Sequence, residues 1–118
     1  LSIDGAAYRL HLSTGMSVAG ECMFIISLTY KRPIEDVEKY LDAHVEYLKN
    51  EYANGRFVAS GRKIPRTGGI ILSNVASREA LEASVERDPF YQANIAEFEI
   101  IEFEPSMVAE GFENLMTK

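Results

Sequence analysis

Two residues of this chain, His44 and Asp88, and one basic stretch from Ser60 to Arg66, have side chains suited to chemistry. His44 lies three residues after Leu41 and four before Leu48. Together with Val37 and Tyr52, these apolar residues repeat as one face of an α-helix. An imidazole on an apolar seam needs a partner, because burying a polar group without one is costly. Asp88 stands before Pro89, a pattern that predicts a helix N-cap. A carboxylate beside an imidazole fixes its tautomer and supports its protonated form, so the ring can give and take a proton. Against this stands the plainer reading, a satisfied core histidine and an aspartate that only caps.

The basic stretch supplies the second half of a site. Between Tyr52 and Arg78 there are five basic residues and no acidic one, whereas from Glu79 onward ten acids face two bases. Such a cluster is either a solvated loop or a local pocket for a small anion. Ser60, Gly61, Arg62 and Arg66 are the candidate ligand-binding residues, with Ser60 able to hold an oxyanion or simply to form a turn. The glycines at 61, 68 and 69 match neither a P-loop nor a dinucleotide fingerprint. With His11 set aside in the leading segment, one histidine and one cysteine are too few for the usual zinc motifs. No metal and no organic cofactor is expected.

These residues must be positioned by one small domain. The chain has 118 residues, 47% hydrophobic and 25% charged, which suits a single soluble core. A net charge of −6 argues against general nucleic-acid binding. No apolar run is long enough to span a membrane. The single cysteine, Cys22, makes no internal disulfide and fits a cytoplasmic protein. Residues 1–22 are rich in Gly, Ser and Ala and lack a signal-peptide pattern. They read as an N-terminal extension or expression leader, with Met16 or Met23 as the natural start, before a domain over 23–118.

Met23 to Tyr30 alternates as a strand, apolar on both faces. Pro33 to about Ala53 is the first helix, with Pro33 in its first position and Gly55 as its left-handed stop. Arg56 to Gly61 is a short strand. Ser60 to Gly69 should be a loop, since proline and glycines break strands. Ile70 to Leu72 opens the third strand. Ser77 caps a second helix over Arg78 to Arg87, with Leu81 and Val85 inward. Asp88 and Pro89 start a short helical turn. In the last strand, Ile95 to Phe103, the apolar residues switch phase, so a β-bulge near Ile100 and Ile101 is expected. A short helix through Phe112, Leu115 and Met116 closes the chain.

The order β-α-β-β-α-β is the ferredoxin-like arrangement, an α+β fold with one antiparallel sheet and two helices on one face. Side-by-side helices bring His44 and Asp88 together at one end. The opposite sheet face would carry Ile25, Ile71 and Val58 or Phe57, an apolar patch that needs a cover. A second copy of the chain is the simplest cover, giving a homodimer through the open sheet face, obligate if the patch is large, or a higher oligomer.

Met23 to about Pro105 resembles the YciI-like (YCII-related domain) family of small bacterial proteins. The resemblance rests on His44 in the first helix, Gly55 at its end, Ser60-Gly61-Arg62-Lys63, Pro65-Arg66-Thr67-Gly68-Gly69 and Asp88-Pro89-Phe90. It implies a dimeric α/β barrel and a site pairing His44 with Asp88. It also implies a cofactor-free enzyme doing acid/base chemistry on a small anionic or phenolic metabolite, of lyase, isomerase or dehydrochlorinase type, since one relative removes chloride from a chlorinated hydroxyquinol. Many members carry Gly-Pro where this chain has Gly61-Arg62, so the loop is a subgroup version with a ligand of its own. The alternative is a non-catalytic small-ligand-binding or structural homodimer.

Overall fold

In a computed structural model of the chain, the described residues are 22–113 and the backbone of Tyr8–Arg9. The elements run β1 (Tyr8–Arg9), β2 (Met23–Tyr30), α1 (Ile34–Lys39), α2 (Leu41–Ala53), β3 (Phe57–Arg62), β4 (Gly68–Ser73), α3 (Arg78–Glu86), α4 (Pro89–Gln92), β5 (Ala96–Phe103) and β6 (Val108–Ala109). The main sheet has the order β3-β4-β2-β5, every pair antiparallel. With helices packed against it, this is the ferredoxin-like α+β arrangement. A second, two-stranded sheet pairs β1 with β6. Apart from Tyr8–Arg9 and Cys22, the 1–22 segment lies outside the described residues, as do Leu115 and Met116 of the expected closing helix.

The central strand β2 sets the layers. Phe24, Ile26 and Leu28 point to the helix side and are almost fully buried. They meet Ile71, Phe57, Val37, Tyr47, Leu81, Val85, Phe90 and Ile95 in one core. Each large side chain removed from water contributes roughly 1.5–3 kcal/mol. On the other side of the sheet, Ile25 pairs with Leu72 and with Ile101, and Met23 with Phe103.

Four local expectations change. The first helix is two helices. Pro33 is the N-cap of α1, and the chain tightens at Tyr40, whose N–H donates to Val37 O at 3.1 Å before α2 begins. The predicted loop from Ser60 to Gly69 is mostly a hairpin, with β3 running to Arg62 and β4 starting at Gly68. Its glycines serve the pairing: a Cβ on Gly68 would lie 1.8 Å from Leu28 O. Only a residue without a side chain lets β4 approach β2 this closely.

The third change is in the last strand, where the β2–β5 register runs unbroken from Met23↔Phe103 to Tyr30↔Ala96, with no bulge at Ile100 or Ile101. The phase switch instead serves two faces. Phe98 and Ile100 pack against the core, while Ile101 and Phe103 pair with Ile25 and Met23 on the open side. Fourth, Ile71 and Phe57 are not on the open face. Ile71 pairs with Ile26, and Phe57 and Phe24 both pair with Ser73, so they belong to the buried layer. The open apolar patch is therefore Ile25, Ile70, Leu72, Ile101 and Phe103, with Ile70 opposite Ser27 on the face of Ile25. Pro105, Met107 and Val108 line a cavity at one end with Met23, Ile25, Leu72 and Phe103.

Candidate functional site

The seam of α2 carries His44 to the interior, where the residue is only 9% exposed. Asp88 arrives from the far side, at the junction between α3 and α4. Pro89 starts α4, so the first free backbone N–H groups need an acceptor. Asp88 Oδ1 accepts from Phe90 N at 2.9 Å. The same oxygen lies 2.8 Å from His44 Nδ1. An ionised carboxylate only accepts, so Nδ1–H donates, and Nε2 is the ring nitrogen left for a ligand. The imidazole is clamped in plane by Phe90, ring centroids 4.1 Å apart and 6° from parallel. Asp88 is fully buried, and its second oxygen, Oδ2, has no hydrogen-bond partner among the described residues.

His44 forms part of the wall of a cleft of about 200 Å³ between α2 and the β3–β4 hairpin. Ser60, Gly61, Arg62 and Arg66 line the same cleft, so five of the six site residues expected from sequence converge there. Asp88 does not line it. It stands behind the ring and acts on the cleft only through His44. The remaining wall is largely apolar, with Leu28, Leu41, Val45, Leu48, Ile71 and Phe90, and it includes Tyr30.

A bulge aims the strand residues. β3 pairs Phe57 with Ser73 but Ala59 with Leu72, so Val58 is an extra residue. If Val58 were paired in a regular strand, Phe57, Ala59 and Gly61 would share a face. With Val58 unpaired, the phase flips, and Ser60 and Arg62 pair with Ile71 and Gly69 on the helix side. Around the cleft, Arg66 pairs with Glu38 of α1 at 3.4 Å. Lys63 Nζ donates to Thr29 Oγ1 at 3.0 Å. The Ser60 hydroxyl bonds the Tyr52 hydroxyl at 2.7 Å.

Sequence reasoning missed a second polar cluster on the other flank of α2. Glu51, 2% exposed, accepts from Arg56 Nε at 2.8 Å and from Arg87 Nη2 at 3.2 Å. Ser84 Oγ also donates to it. Burial alone would raise the Glu51 carboxyl, but the hydrogen bonds from Arg56, Ser84 and Arg87 outweigh it and hold the group below its usual range. The same pairing raises Arg56. Tyr47 Oη donates to Ser84 O at 2.8 Å, and burial pushes its hydroxyl well up. The signal was present in the spacing, since Tyr47 and Glu51 follow His44 by three and seven residues on the same seam. Tyr52, assigned to that seam, is instead 39% exposed and holds Ser60. Among the described residues no group of three or more His, Cys, Asp or Glu is placed to hold a metal, and no helix is long and apolar enough to cross a membrane.

A family model described as the YCII-related domain matches residues 23–104, most of the chain. No curated protein matches. Among solved structures, the fold is similar to a 5-chloro-2-hydroxyhydroquinone dehydrochlorinase from Burkholderia phenoliruptrix AC1100, in complex with 2,5-dihydroxybenzoquinone. The TM-score is 0.59 and the identity 21%, over 67% of this chain and 90% of that one.

Proposed function

The chain belongs to the YCII-related domain family, and on that premise we propose that it is a small-molecule enzyme whose acid/base group is His44. One observation carries the reading: a single imidazole joins a fully buried carboxylate to a cleft lined by a serine and two arginines. Nδ1–H stays on Asp88, so Nε2 is the atom that takes a proton from the substrate and returns it. Asp88 orients the ring and offsets the charge that the transfer creates. Ser60, Arg62 and Arg66 stand where negative charge on a substrate oxygen can be held. The substrate is a small anionic or phenolic molecule, and the step is of lyase, isomerase or dehydrochlorinase type. A second copy of the chain covers Ile25, Ile70, Leu72, Ile101 and Phe103, making a homodimer.

The test is a panel of phenols, hydroxyquinones and small carboxylic acids, including 2,5-dihydroxybenzoquinone, followed by absorbance and mass spectrometry. His44→Gln should lower turnover of any accepted substrate on the order of 10²–10⁴-fold while changing its binding less than tenfold. Arg62→Gln should mainly raise KM. Binding without turnover, equal in wild type and His44→Gln, would replace the enzyme reading by a ligand-binding one.

A further inference from the structure

The charges around the cleft are unequal in what they leave available. His44 is engaged by Asp88. Arg66 lines the cleft, yet its guanidinium pairs with Glu38, a residue of α1 outside the cleft wall. Arg62 lines it too and has no ion-pair partner among the described residues. We propose that Glu38 sets the charge of the ligand by holding Arg66, so that the cleft selects a monoanion with an apolar, ring-sized body. This rests on reading the cleft as a small-anion site.

Arg62 matches one negative charge. A second would have to compete with Glu38 for Arg66 and would lie in the field of Asp88 behind the imidazole. The body of the ligand follows from the wall. Leu28, Leu41, Val45, Leu48, Ile71 and Phe90 offer apolar contact, and Tyr30 brings a hydroxyl to the lining but no charge to match a second anion. A cavity of about 150 Å³ accepts a benzene ring, and this one, at about 200 Å³, leaves room for one polar substituent. Ser60, held by Tyr52, adds a hydroxyl beside Arg62 on the same face of the strand.

Three probes on one ring separate the charges, benzoate, benzamide and isophthalate, with 3-carbamoylbenzoate, a monoanion of the shape of isophthalate, as the control for size. Their dissociation constants are measured by calorimetry on the full chain, with the His44 ring followed by NMR. Wild type should bind benzoate at least tenfold more tightly than benzamide or isophthalate, with His44 signals moving. In Glu38→Gln the ratio of isophthalate to benzoate affinity should rise about threefold to fivefold, the size expected for releasing one half-exposed ion pair. Glu38→Gln with Arg66→Gln should return the ratio to wild type. Glu38 is 58% exposed at its side chain, so its replacement leaves the core intact, and the melting temperature verifies this. An unchanged ratio in Glu38→Gln, with benzoate still bound at His44, overturns the role of Glu38 and leaves the site standing. No probe moving the His44 signals in wild type overturns the small-anion reading itself, and this inference with it.

Discussion

Two buried carboxylates of this protein have opposite environments. Glu51 has both oxygens satisfied by Arg56 and Arg87, with Ser84 on one of them. Asp88 has one oxygen doubly used and one unpartnered. A saturated carboxylate is a clamp, and here it ties α2 to the start of β3 and to α3. A half-satisfied one facing an imidazole is suited to act through that ring, as the proposed function requires. The two substitutions should therefore separate. Glu51→Gln removes the charge from a cluster whose two arginines are partly exposed, and should cost about 1–3 kcal/mol, read by denaturant unfolding. It should leave the tautomer of His44 unchanged. Asp88→Asn keeps an N-cap, since asparagine caps as well as aspartate, and should cost far less stability. It removes the carboxylate that fixes Nδ1–H, so ¹⁵N spectra of His44 should change from one tautomer to a mixture. If Asp88→Asn unfolds the protein as severely as Glu51→Gln, Asp88 is a core group first.

At the level of elements, the decisive feature is the extra residue in β3. Inserting one residue between Ala59 and Ser60 shifts the later pairs by one and turns Ser60 and Arg62 to the open side of the sheet. The expected result is a folded protein that no longer binds small anions at His44, tested by repeating an anion titration on the insertion variant. Binding at wild-type affinity would mean that those side chains do not hold the ligand. This bulge was not legible in the sequence. The chain did signal a bulge, by a phase change, but in β5, where the residues serve two apolar faces and the register is unbroken. In β3 the residues after Phe57 are Val, Ala, Ser and Gly, small or polar enough to fit either phase, so pairing with β4 decides. The hairpin itself was hidden for a related reason. Gly68 and Gly69 look like breakers, yet Gly68 is required by the approach of Leu28 O. What was legible had strong local chemistry: the Ser77 cap, whose oxygen accepts from Ala80 N at 3.1 Å, the Asp88-Pro89 start, and the left-handed Gly55 at φ 73°.

For the whole molecule, the sheet has one face closed by helices and one half open. Ile101 and Phe103 are still 45% and 43% exposed. Covering what remains of each is worth about 1 kcal/mol, roughly half the value of burying such a side chain completely. A two-fold interface counts each residue twice, while association itself costs about 4–15 kcal/mol. The patch is smaller than a fully apolar sheet face, because Ile71 and Phe57 belong to the core and Met23 is covered from within the chain. These magnitudes favour a reversible homodimer over an obligate one. Light scattering should give a mass near twice 13.2 kDa at high concentration, falling on dilution. Ile101→Lys should hold the protein at the monomer mass, since a lysine on each copy would place two charges against an apolar partner. His44 and the cleft lie across the sheet from Ile101, so this variant should keep wild-type anion binding at His44. A protein that stays monomeric at every concentration would remove the dimer, and loss of binding in Ile101→Lys would mean that the cleft is complete only when two copies meet.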